Sequence, residues 1–284
     1  MDFTKVQSVG NDFVLVDATH TLADWPKLAI AMCDRHFGIG ADGLLLLLPS
    51  KTAHFRMRIF NSDGSESETC GNGLRCLVNY VYTKGLARKD SITIETAGGI
   101  RTAEVQPSVN SLPRIRIGMG SPIFKPDEIP VKTKLGKGGL VCGMTVNYPV
   151  AVADAEFKLN FVSMGNPHAV YFTDQPVVAF PLSAHGPQIE TDTIFPRKTN
   201  FEVARILNNM TIEMRVWERG VGETLACGSG ACAVAVTSWI LGYTGDKVDI
   251  KLPGGLLTAE WCGSGEVYLS GQAVSVYSGN WCEL

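Results

Sequence analysis

Two cysteines of the 284-residue sequence have the same local setting. Cys70 and Cys227 each begin a Cys-Gly-x-Gly motif that leads into an apolar segment, predicting helices over residues 74–83 and 231–241. Unpartnered N–H groups at a helix start can lower the pKa of a thiol and can bind a carboxylate. A free cysteine taken alone is more often a small buried hydrophobic residue. Because the setting occurs twice, we expect chemistry from this pair.

That chemistry would be inversion of a carbon centre. If the two segments face each other, one thiolate can remove a proton from one face of a substrate while the opposite thiol returns a proton to the other. The α-proton of an amino acid is only weakly acidic. The sequence has no convincing motif for pyridoxal phosphate, so we expect no cofactor and expect backbone N–H groups to stabilise charge on the α-carboxylate.

An internal duplication places the two cysteines at equivalent positions. The matching segments, first copy then second, are 57–61 with 214–218, 70–73 with 227–230, 98–104 with 254–260, and 10–12 with 165–167. Their offsets are 157, 157, 156 and 155 positions. Four matches in the same order indicate gene duplication.

The elements around each cysteine predict two similar α+β domains. The predicted strands are 13–17, 55–60, 91–96 and 114–117 in the first copy, and 169–172, 211–217, 248–252 and 267–269 in the second. A helix that is apolar on all sides must be surrounded, so we expect a curved, barrel-like, mostly antiparallel sheet around each one. We place the domains at 1–122 and 123–284, with the extreme C-terminus a candidate to pack back on the first half. The segment 122–143 predicts the connection and early part of the second unit.

Composition excludes several classes of protein. The formal net charge is −3 and no basic stripe is present, so we expect no nucleic-acid or membrane partner. The N-terminus lacks a signal-peptide pattern, which predicts a cytoplasmic protein with reduced thiols. No Cys-x-x-Cys pair or Cys/His cluster has zinc spacing, so we expect no metal. We assign the other six cysteines to packing and structure: Cys33, Cys76, Cys142, Cys232, Cys262 and Cys282.

The sequence closely resembles the diaminopimelate epimerase family over nearly its whole length. The motifs that carry the resemblance are Gly10-Asn11-Asp12-Phe13, Asp34-Arg35-His36 with Gly38-Ile39-Gly40-Ala41-Asp42, Phe60-Asn61-Ser62-Asp63-Gly64, Cys70-Gly71-Asn72-Gly73-Leu74-Arg75-Cys76, Met164-Gly165-Asn166-Pro167-His168, and Glu218-Arg219-Gly220-Val221-Gly222-Glu223-Thr224 running into Ala226-Cys227-Gly228-Ser229-Gly230-Ala231-Cys232. The resemblance implies a pair of pseudo-symmetric barrels, each with a central helix, and a homodimer.

The resemblance also implies roles for single residues. Cys70 and Cys227 would be the two acid/base residues, and His168 and Glu218 would tune the pKa values of the cysteines. The implied contacts to a small amino-acid substrate are Asn11, Asn61, Gly71, Asn72, Asn166, Asn200, Glu218, Arg219, Gly228 and Ser229. Arg219 suits a carboxylate partner. Some members carry glutamine where this sequence has Gly43. The contact that this glutamine can make with the substrate is therefore absent or replaced here.

Two other interpretations remain open. A proline-type racemase would share the fold, but as a class it carries histidine and threonine where this sequence has Asn72 and Ser229. The more distant phenazine-type isomerases replace the cysteine pair, so the presence of Cys70 and Cys227 argues against that class. In a redox protein, Cys70 and Cys227 would instead form a regulatory disulfide, which does not explain the carboxylate-binding frame around them.

Overall fold

A computed structural model describes residues 1–67, 70–87, 91–106, 113–134, 136–153 and 155–282. The chain forms two compact units. The first consists of Met1–Gly118 together with the C-terminal segment from Ser270, and the second of Met119–Leu269. The first unit therefore contains both the start and the end of the chain.

The elements of the first 118 residues are mostly short strands. In chain order they are β1 (Asp2–Ser8), β2 (Asn11–Asp17), α1 (Trp25–Cys33), β3 (Gly43–Leu48), β4 (Phe55–Asn61), β5 (Glu66–Ser67), α2 (Gly71–Thr83), β6 (Ser91–Thr96), β7 (Gly99–Gln106) and β8 (Arg114–Gly118).

The rest of the chain has a similar series. It contains β9 (Gly139–Val141), β10 (Met144–Val146), β11 (Tyr148–Val152), β12 (Ala155–Ser163), β13 (Pro167–Phe172), a 3-10 turn (Val177–Ala179), α3 (Leu182–Glu190), β14 (Asn200–Asn208), β15 (Thr211–Glu218), β16 (Gly222–Thr224), α4 (Gly228–Ile240), β17 (Lys247–Leu252), β18 (Gly255–Glu260), β19 (Tyr268–Gln272) and β20 (Val274–Asn280). Seven of the eight predicted strands lie within these, and the eighth, 267–269, overlaps β19.

The strands of the two units pair in the same order. In the first unit the order is β20-β1-β2-β3-β4-β6-β7-β8, with parallel pairs only at β2·β3 and β4·β6 among these neighbours. In the second it is β11-β12-β13-β14-β15-β17-β18, with parallel pairs at β13·β14 and β15·β17. The parallel pairs occupy equivalent places, which confirms the predicted duplication of a mostly antiparallel sheet.

Each sheet curves around one buried helix. Helix α2 contacts β20 and β8 at the two ends of its sheet as well as β1–β4 and β7 between them. Helix α4 contacts β12, β13, β14, β17 and β18. Both are apolar along most of their length, so a surrounding sheet is the arrangement that keeps their side chains from water.

Helices α1 and α3 lie outside the sheets and join the parallel strands. Helix α1 contacts β2, β3 and β4, and its apolar face packs on a cluster that includes Leu44, Leu46 and Phe60. Helix α3 contacts β11, β14, β15 and β16 of the second unit. Within the described residues, no helix is long and apolar enough to span a bilayer.

Candidate active site

Cys70 and Cys227 are the N-cap residues of α2 and α4. Both have extended backbone conformations, and their side chains accept hydrogen bonds from the helix. The N–H of Gly73 donates to Cys70 Sγ and the N–H of Gly230 donates to Cys227 Sγ, each at 3.4 Å. This confirms the predicted placement of each cysteine at a helix start, where free N–H groups favour negative charge.

Among the described residues, amides and a buried cation form a hydrogen-bonded group with Cys70. Its Sγ lies 3.8 Å from Oδ1 of Asn11, which also accepts a hydrogen bond from Nδ2 of Asn72 at 3.1 Å. Arg75, fully buried in α2, donates to Oδ1 of Asn72 and, through Nε, to Ser8 Oγ at 2.9 Å. We call Cys70, Asn11, Asn72 and Arg75 the Cys70 cluster. Its members orient one another through a continuous chain of hydrogen bonds.

The surroundings of Cys227 are acidic. Burial raises the pKa of this thiol well above its ordinary value, and the negative charges of Glu218 and Glu202 raise it further. Hydrogen bonds from Ser229 and from the N–H of Gly230 act in the opposite direction. The helix start lowers the pKa of Cys227 only in part, because burial and two carboxylates outweigh it.

Glu218 lies at the end of β15 and accepts a hydrogen bond from the hydroxyl of Thr224. Burial raises the pKa of its carboxyl, and the nearby charge of Glu202 adds to that rise. Hydrogen bonds with Thr224 and Cys227, and the positive charge of His168, oppose it. Glu218 thus contacts Cys227, one of the two cysteines whose pKa values it is expected to tune.

His168 lies on β13 and is fully buried. Its Nδ1 is 2.6 Å from Oε1 of Glu202, which is also fully buried, and its Nε2 is 3.0 Å from Oδ1 of Asn166. We call Cys227, Glu218, His168, Glu202 and Ser229 the Cys227 cluster. The cluster concentrates titratable side chains around one thiol.

The remaining predicted substrate contacts differ in how their side chains are used. Asn200 is buried; its Nδ2 donates to the carbonyl of Pro167 at 2.8 Å, and its Oδ1 accepts from the N–H of Arg219 at 3.0 Å. The guanidinium of Arg219 is exposed and donates to the carbonyl of Arg197 at 3.3 Å. Asn200 therefore connects β13 to the turn that follows Glu218.

The other predicted contacts lie close to the cysteines or in an exposed turn. Asn61 is exposed at the end of β4, and its Nδ2 donates to Ser65 Oγ at 2.9 Å. Gly71 and Gly228 are the first residues of α2 and α4. Ser229 Oγ lies 3.4 Å from Cys227 Sγ. Gly43, where the sequence departs from some relatives, pairs with Asn61 in the ladder between β3 and β4.

Sequence comparison identifies the family. The sequence model of diaminopimelate epimerase matches residues 3–125 and 160–276. The chain is 46% identical over 284 residues to the diaminopimelate epimerase of Pelotomaculum thermopropionicum, covering 99% of each chain. It is 44% identical over 281 residues to that of Methanococcus maripaludis, covering 98% of this chain and 99% of that one. The chain belongs to the diaminopimelate epimerase family.

Solved structures support the fold of this family member. A PhzF-family phenazine biosynthesis protein from Bacillus anthracis superposes with a TM-score of 0.69 at 16% identity, covering 98% of each chain. A hydroxyproline epimerase from Agrobacterium vitis gives 0.65 at 14% identity, covering 98% of this chain and 91% of that one. At such low identity these similarities establish the architecture alone.

Outside the two clusters, the cysteines of this family member fall into two groups. Cys33, Cys76 and Cys232 are buried, in agreement with the packing role that the sequence predicts. The other three, Cys142, Cys262 and Cys282, which the sequence assigns to structure, are exposed. Cys142 lies in the turn between β9 and β10, Cys262 lies just after β18, and Cys282 lies just after β20.

Glu202 is the residue of the Cys227 cluster that sequence reasoning missed. It lies on β14 in an alternating segment, where a single charged residue is usually a solvated one. The duplication could have indicated the burial of Glu202, because the equivalent position of the first copy is Leu45, which is fully buried. A carboxyl at a position where the other copy buries leucine indicates a buried charge.

Proposed function

We propose that this member of the family interconverts L,L- and meso-diaminopimelate by proton transfer at the α-carbon, using Cys70 and Cys227 and no pyridoxal phosphate. The observation that carries the proposal is the equivalent placement of the two cysteines, each as the N-cap of a buried helix. The naming of relatives such as that of Pelotomaculum thermopropionicum supports the choice of substrate.

In the proposed reaction one sulfur acts as base and the other as acid. A thiolate takes the α-proton, so that the C–H bond breaks and an S–H bond forms, and the electron pair remains on the substrate. The opposite thiol then donates its proton to the other face of the same carbon and becomes a thiolate. In the reverse direction the two sulfurs exchange roles.

The raised pKa of Cys227 supports its assignment as the proton donor of the resting enzyme. Burial and the charges of Glu218 and Glu202 favour its thiol form. The Cys70 cluster contains the buried guanidinium of Arg75 instead. A positive charge favours a nearby thiolate, so we assign Cys70 as the base that acts first when the resting enzyme binds substrate.

The helix starts and the asparagine side chains stabilise the carbanion. The first N–H groups of α2 and α4 can hold the α-carboxylate, on which charge develops as the proton leaves. Asn11, Asn61, Asn72, Asn166 and Asn200 are the proposed polar contacts, and Arg219 is the proposed partner of a carboxylate. His168 and Glu218 tune the pKa values of the cysteines.

The protein acts as a cytoplasmic homodimer, and the reaction serves lysine and peptidoglycan precursor synthesis.

Incubation with L,L-diaminopimelate in D2O tests this proposal. The purified chain, without added pyridoxal phosphate, metal or nicotinamide, should form meso product with deuterium at the inverted carbon, because the proton returned to it comes from a solvent-exchanged thiol. Hydroxylamine, which captures pyridoxal phosphate, should leave the rate unchanged. Loss of activity with hydroxylamine, or inversion that needs added pyridoxal phosphate, would exclude the two-cysteine mechanism.

Proline and hydroxyproline are the control substrates. Asn72 and Ser229 stand where proline-type racemases carry histidine and threonine, so neither substrate should be inverted. Inversion of proline at a rate comparable to that of diaminopimelate would favour the racemase interpretation. If no amino acid is inverted while the two cysteines cycle between thiols and a disulfide, the redox interpretation is correct.

A further inference from the structure

The side chain of Glu202 is a completely buried carboxyl, and the described residues pair with only one of its two oxygens. It is 0% exposed, and Oε1 lies 2.6 Å from Nδ1 of His168. Among the described residues, Oε2 has no hydrogen-bond partner. Burial of a carboxyl is unfavourable unless it is paired, and an oxygen that stays unpaired adds to the cost. The presence of a glutamate at this buried position therefore needs an explanation other than packing.

The duplication shows that the fold does not need a carboxyl at this position. In the parallel ladder β13·β14, Glu202 pairs with Val170, and in the equivalent ladder β2·β3, Leu45 pairs with Leu15. A Cβ added at Gly230 would lie 2.8 Å from Oε1 of Glu202. The corresponding Cβ at Gly73 would lie 3.0 Å from Cδ2 of Leu45. Glutamate and leucine therefore fill the same space beneath the first turn of α4 and α2.

The partner of Glu202 differs between the copies in the same way. His168 pairs with Asn200 at the start of the ladder β13·β14, and Phe13 pairs with Gly43 at the start of the ladder β2·β3. The second copy thus has a hydrogen-bonded His–Glu pair where the first copy has Phe13 and Leu45. Because the same architecture packs with the apolar pair, packing alone does not require the polar pair in the second copy.

We propose that Glu202 is a positioning residue of the epimerase site, which holds His168 through Nδ1 so that the Nε2 edge of the ring is directed to Asn166. This proposal rests on the proposed function and assigns to it a residue beyond the cysteine pair, His168 and Glu218. In this role Glu202 does not itself contact the α-carbon of the substrate or take its proton.

The contact between Glu202 and His168 restricts where a proton can move. Oε1 of Glu202 and Nδ1 of His168 share one proton, because a contact of 2.6 Å between them needs a hydrogen on one of the two atoms. Exchange of a proton with any other group must then use Nε2, which lies 3.0 Å from Asn166 Oδ1. A histidine oriented by a buried carboxylate in this way keeps a proton on Nδ1 and one ring orientation.

The charge of Glu202 also acts on Cys227. The titratable groups that influence this thiol come from adjacent strands: Glu202 from β14, Glu218 from β15, and His168 from β13 through its charge on Glu218. Helix α4 contributes the Ser229 hydroxyl and the N–H of Gly230. Glu202 raises the pKa of the thiol, so its removal should make Cys227 a thiolate at lower pH.

Two variants separate charge from shape. Glu202→Gln removes the charge but keeps the size of the side chain, and Glu202→Leu introduces the residue that the first copy has at the equivalent position. Glu213→Gln, on β15 and paired with Arg205, is the matched control. If Glu202→Leu does not fold, as judged by circular dichroism, Glu202→Gln alone decides the outcome.

Nitrogen NMR on the 15N-histidine-labelled chain tests the orientation of His168, with His168→Gln to assign its signals. The parent should show a protonated Nδ1 across the range of pH at which the protein is folded. In Glu202→Leu the proton on Nδ1 should no longer be held, and the neutral ring with its only proton on Nε2 should become populated. Identical His168 spectra in the parent and in both Glu202 variants would overturn the proposal.

Alkylation of Cys227 with iodoacetamide, followed by peptide mapping, tests the effect of charge without any substrate. In Glu202→Gln the midpoint of the pH profile should move down by about one pH unit, which corresponds to about tenfold faster alkylation at neutral pH. Glu213→Gln should match the parent. An unchanged profile in Glu202→Gln would overturn the electrostatic part of the proposal.

Kinetics on L,L-diaminopimelate connect the two tests to turnover. In Glu202→Gln, kcat should fall by about tenfold or more with KM changed less than about twofold, and the alkaline limb of the pH profile should move to lower pH. If the parent epimerises and Glu202→Gln is equally active with the same pH profile, this proposal fails and the proposed function stands. If the parent does not epimerise diaminopimelate, the proposed function fails, and NMR and alkylation still decide the role of Glu202.

Discussion

At the scale of single residues, the two cysteines share a backbone setting but differ in charge environment. Each Sγ accepts one N–H from the first turn of its helix at the same distance. A buried arginine belongs to the Cys70 cluster, whereas two glutamates raise the pKa of Cys227. An acid and a base of the same residue type need this kind of difference, because identical surroundings would give both thiols the same protonation state.

Removal of either thiol should abolish epimerisation. Cys70→Ala and Cys227→Ala each delete the proton carrier for one face of the substrate, so kcat/KM should fall by at least about 1000-fold. Cys76→Ala and Cys232→Ala are matched controls, since both side chains are buried in the same helices. They should keep turnover within about threefold and lower the free energy of unfolding by about 1 kcal/mol. Ordinary turnover by Cys227→Ala would show that the catalytic pair is a different one.

The hydroxyl of Ser229 should act on Cys227 in the direction opposite to the glutamates. Its hydrogen bond to Sγ lowers the pKa of the thiol. In Ser229→Ala the alkylation profile of Cys227 should therefore move to higher pH, measured by peptide mapping. The alkylation profile of Cys70 in the same digest is the internal control and should not move. A shift of Cys227 to lower pH would contradict the assigned contact.

Sequence patterns could identify the cysteines, but they could not identify the buried charges. Cys70 and Cys227 are recognisable because a duplicated motif marks a helix start, which is a local property. The burial of Arg75 and Glu202 depends on packing between elements that are distant in sequence. The polarity of the neighbouring residues in the sequence does not predict such packing. For Glu202 the comparison with Leu45 is the one sequence signal that could have indicated its burial.

At the scale of elements, the β1–β2 hairpin is held by an ion-pair network next to Asn11. Asp12 binds Lys5 and Arg35, and Arg35 also binds Asp42, whose other oxygen accepts from Nδ2 of Asn11 at 2.7 Å. Burial alone would raise the pKa of Asp12, but hydrogen bonds and charges from Arg35 and Lys5 outweigh it and lower the pKa from 3.8 to about 2. The network fixes the position of Asn11 beside Cys70.

The lowered pKa of Asp12 makes its contribution to stability dependent on pH. A carboxyl with a folded pKa of about 2 and an ordinary value of 3.8 stabilises the fold by about 2 kcal/mol above pH 4, and this is lost as the pH falls from 4 to 2. Urea unfolding should therefore show Asp12→Asn less stable than the parent at pH 6, with the difference shrinking below pH 4. Asp127→Asn, at an exposed position, should match the parent at every pH. A difference that stays constant with pH would contradict the ion-pair origin.

Helix boundaries show where local sequence signals are ambiguous. The sequence predicts starts at residues 74 and 231, whereas α2 and α4 begin at Gly71 and Gly228. Glycine has low helix propensity, so Gly-Asn-Gly and Gly-Ser-Gly read as turns. In the structure Gly73 and Gly230 lie in the first helical turn, where an added Cβ would lie 3.0 Å from Leu45 Cδ2 and 2.8 Å from Glu202 Oε1. Close packing therefore overrides propensity at both helix starts.

At the scale of the whole molecule, duplication accounts for most of what the sequence predicts. Repeated motifs revealed two equivalent sheets, and alternation located their strands. The crossover helices α1 and α3 gave no comparable signal, because each has nine residues and α3 contains Gly186 and Pro187. Both residues disfavour a helix, so α3 depends on tertiary packing. The return of the chain to the first unit through β20 likewise depends on a long-range pairing with β1.

The proposed mechanism makes the whole enzyme sensitive to oxidation. It requires both thiols to reach one carbon, so with no substrate bound little would separate Cys70 and Cys227. A mild oxidant such as diamide, which accepts two electrons and two protons, could then join the sulfurs once the β-carbons come within about 4 Å. Activity should fall on oxidation and return with dithiothreitol, and substrate should slow the loss.

Peptide mapping identifies the thiols responsible. The inactive form should contain a disulfide between Cys70 and Cys227. The exposed cysteines Cys142, Cys262 and Cys282 will also react with an oxidant, so a variant with serine at these three positions is the control. That variant should lose activity as fast as the parent, because the expected disulfide joins Cys70 and Cys227. Full activity after oxidation of all accessible thiols, or inactivation that the triple variant escapes, would mean that the two catalytic sulfurs do not approach one substrate carbon.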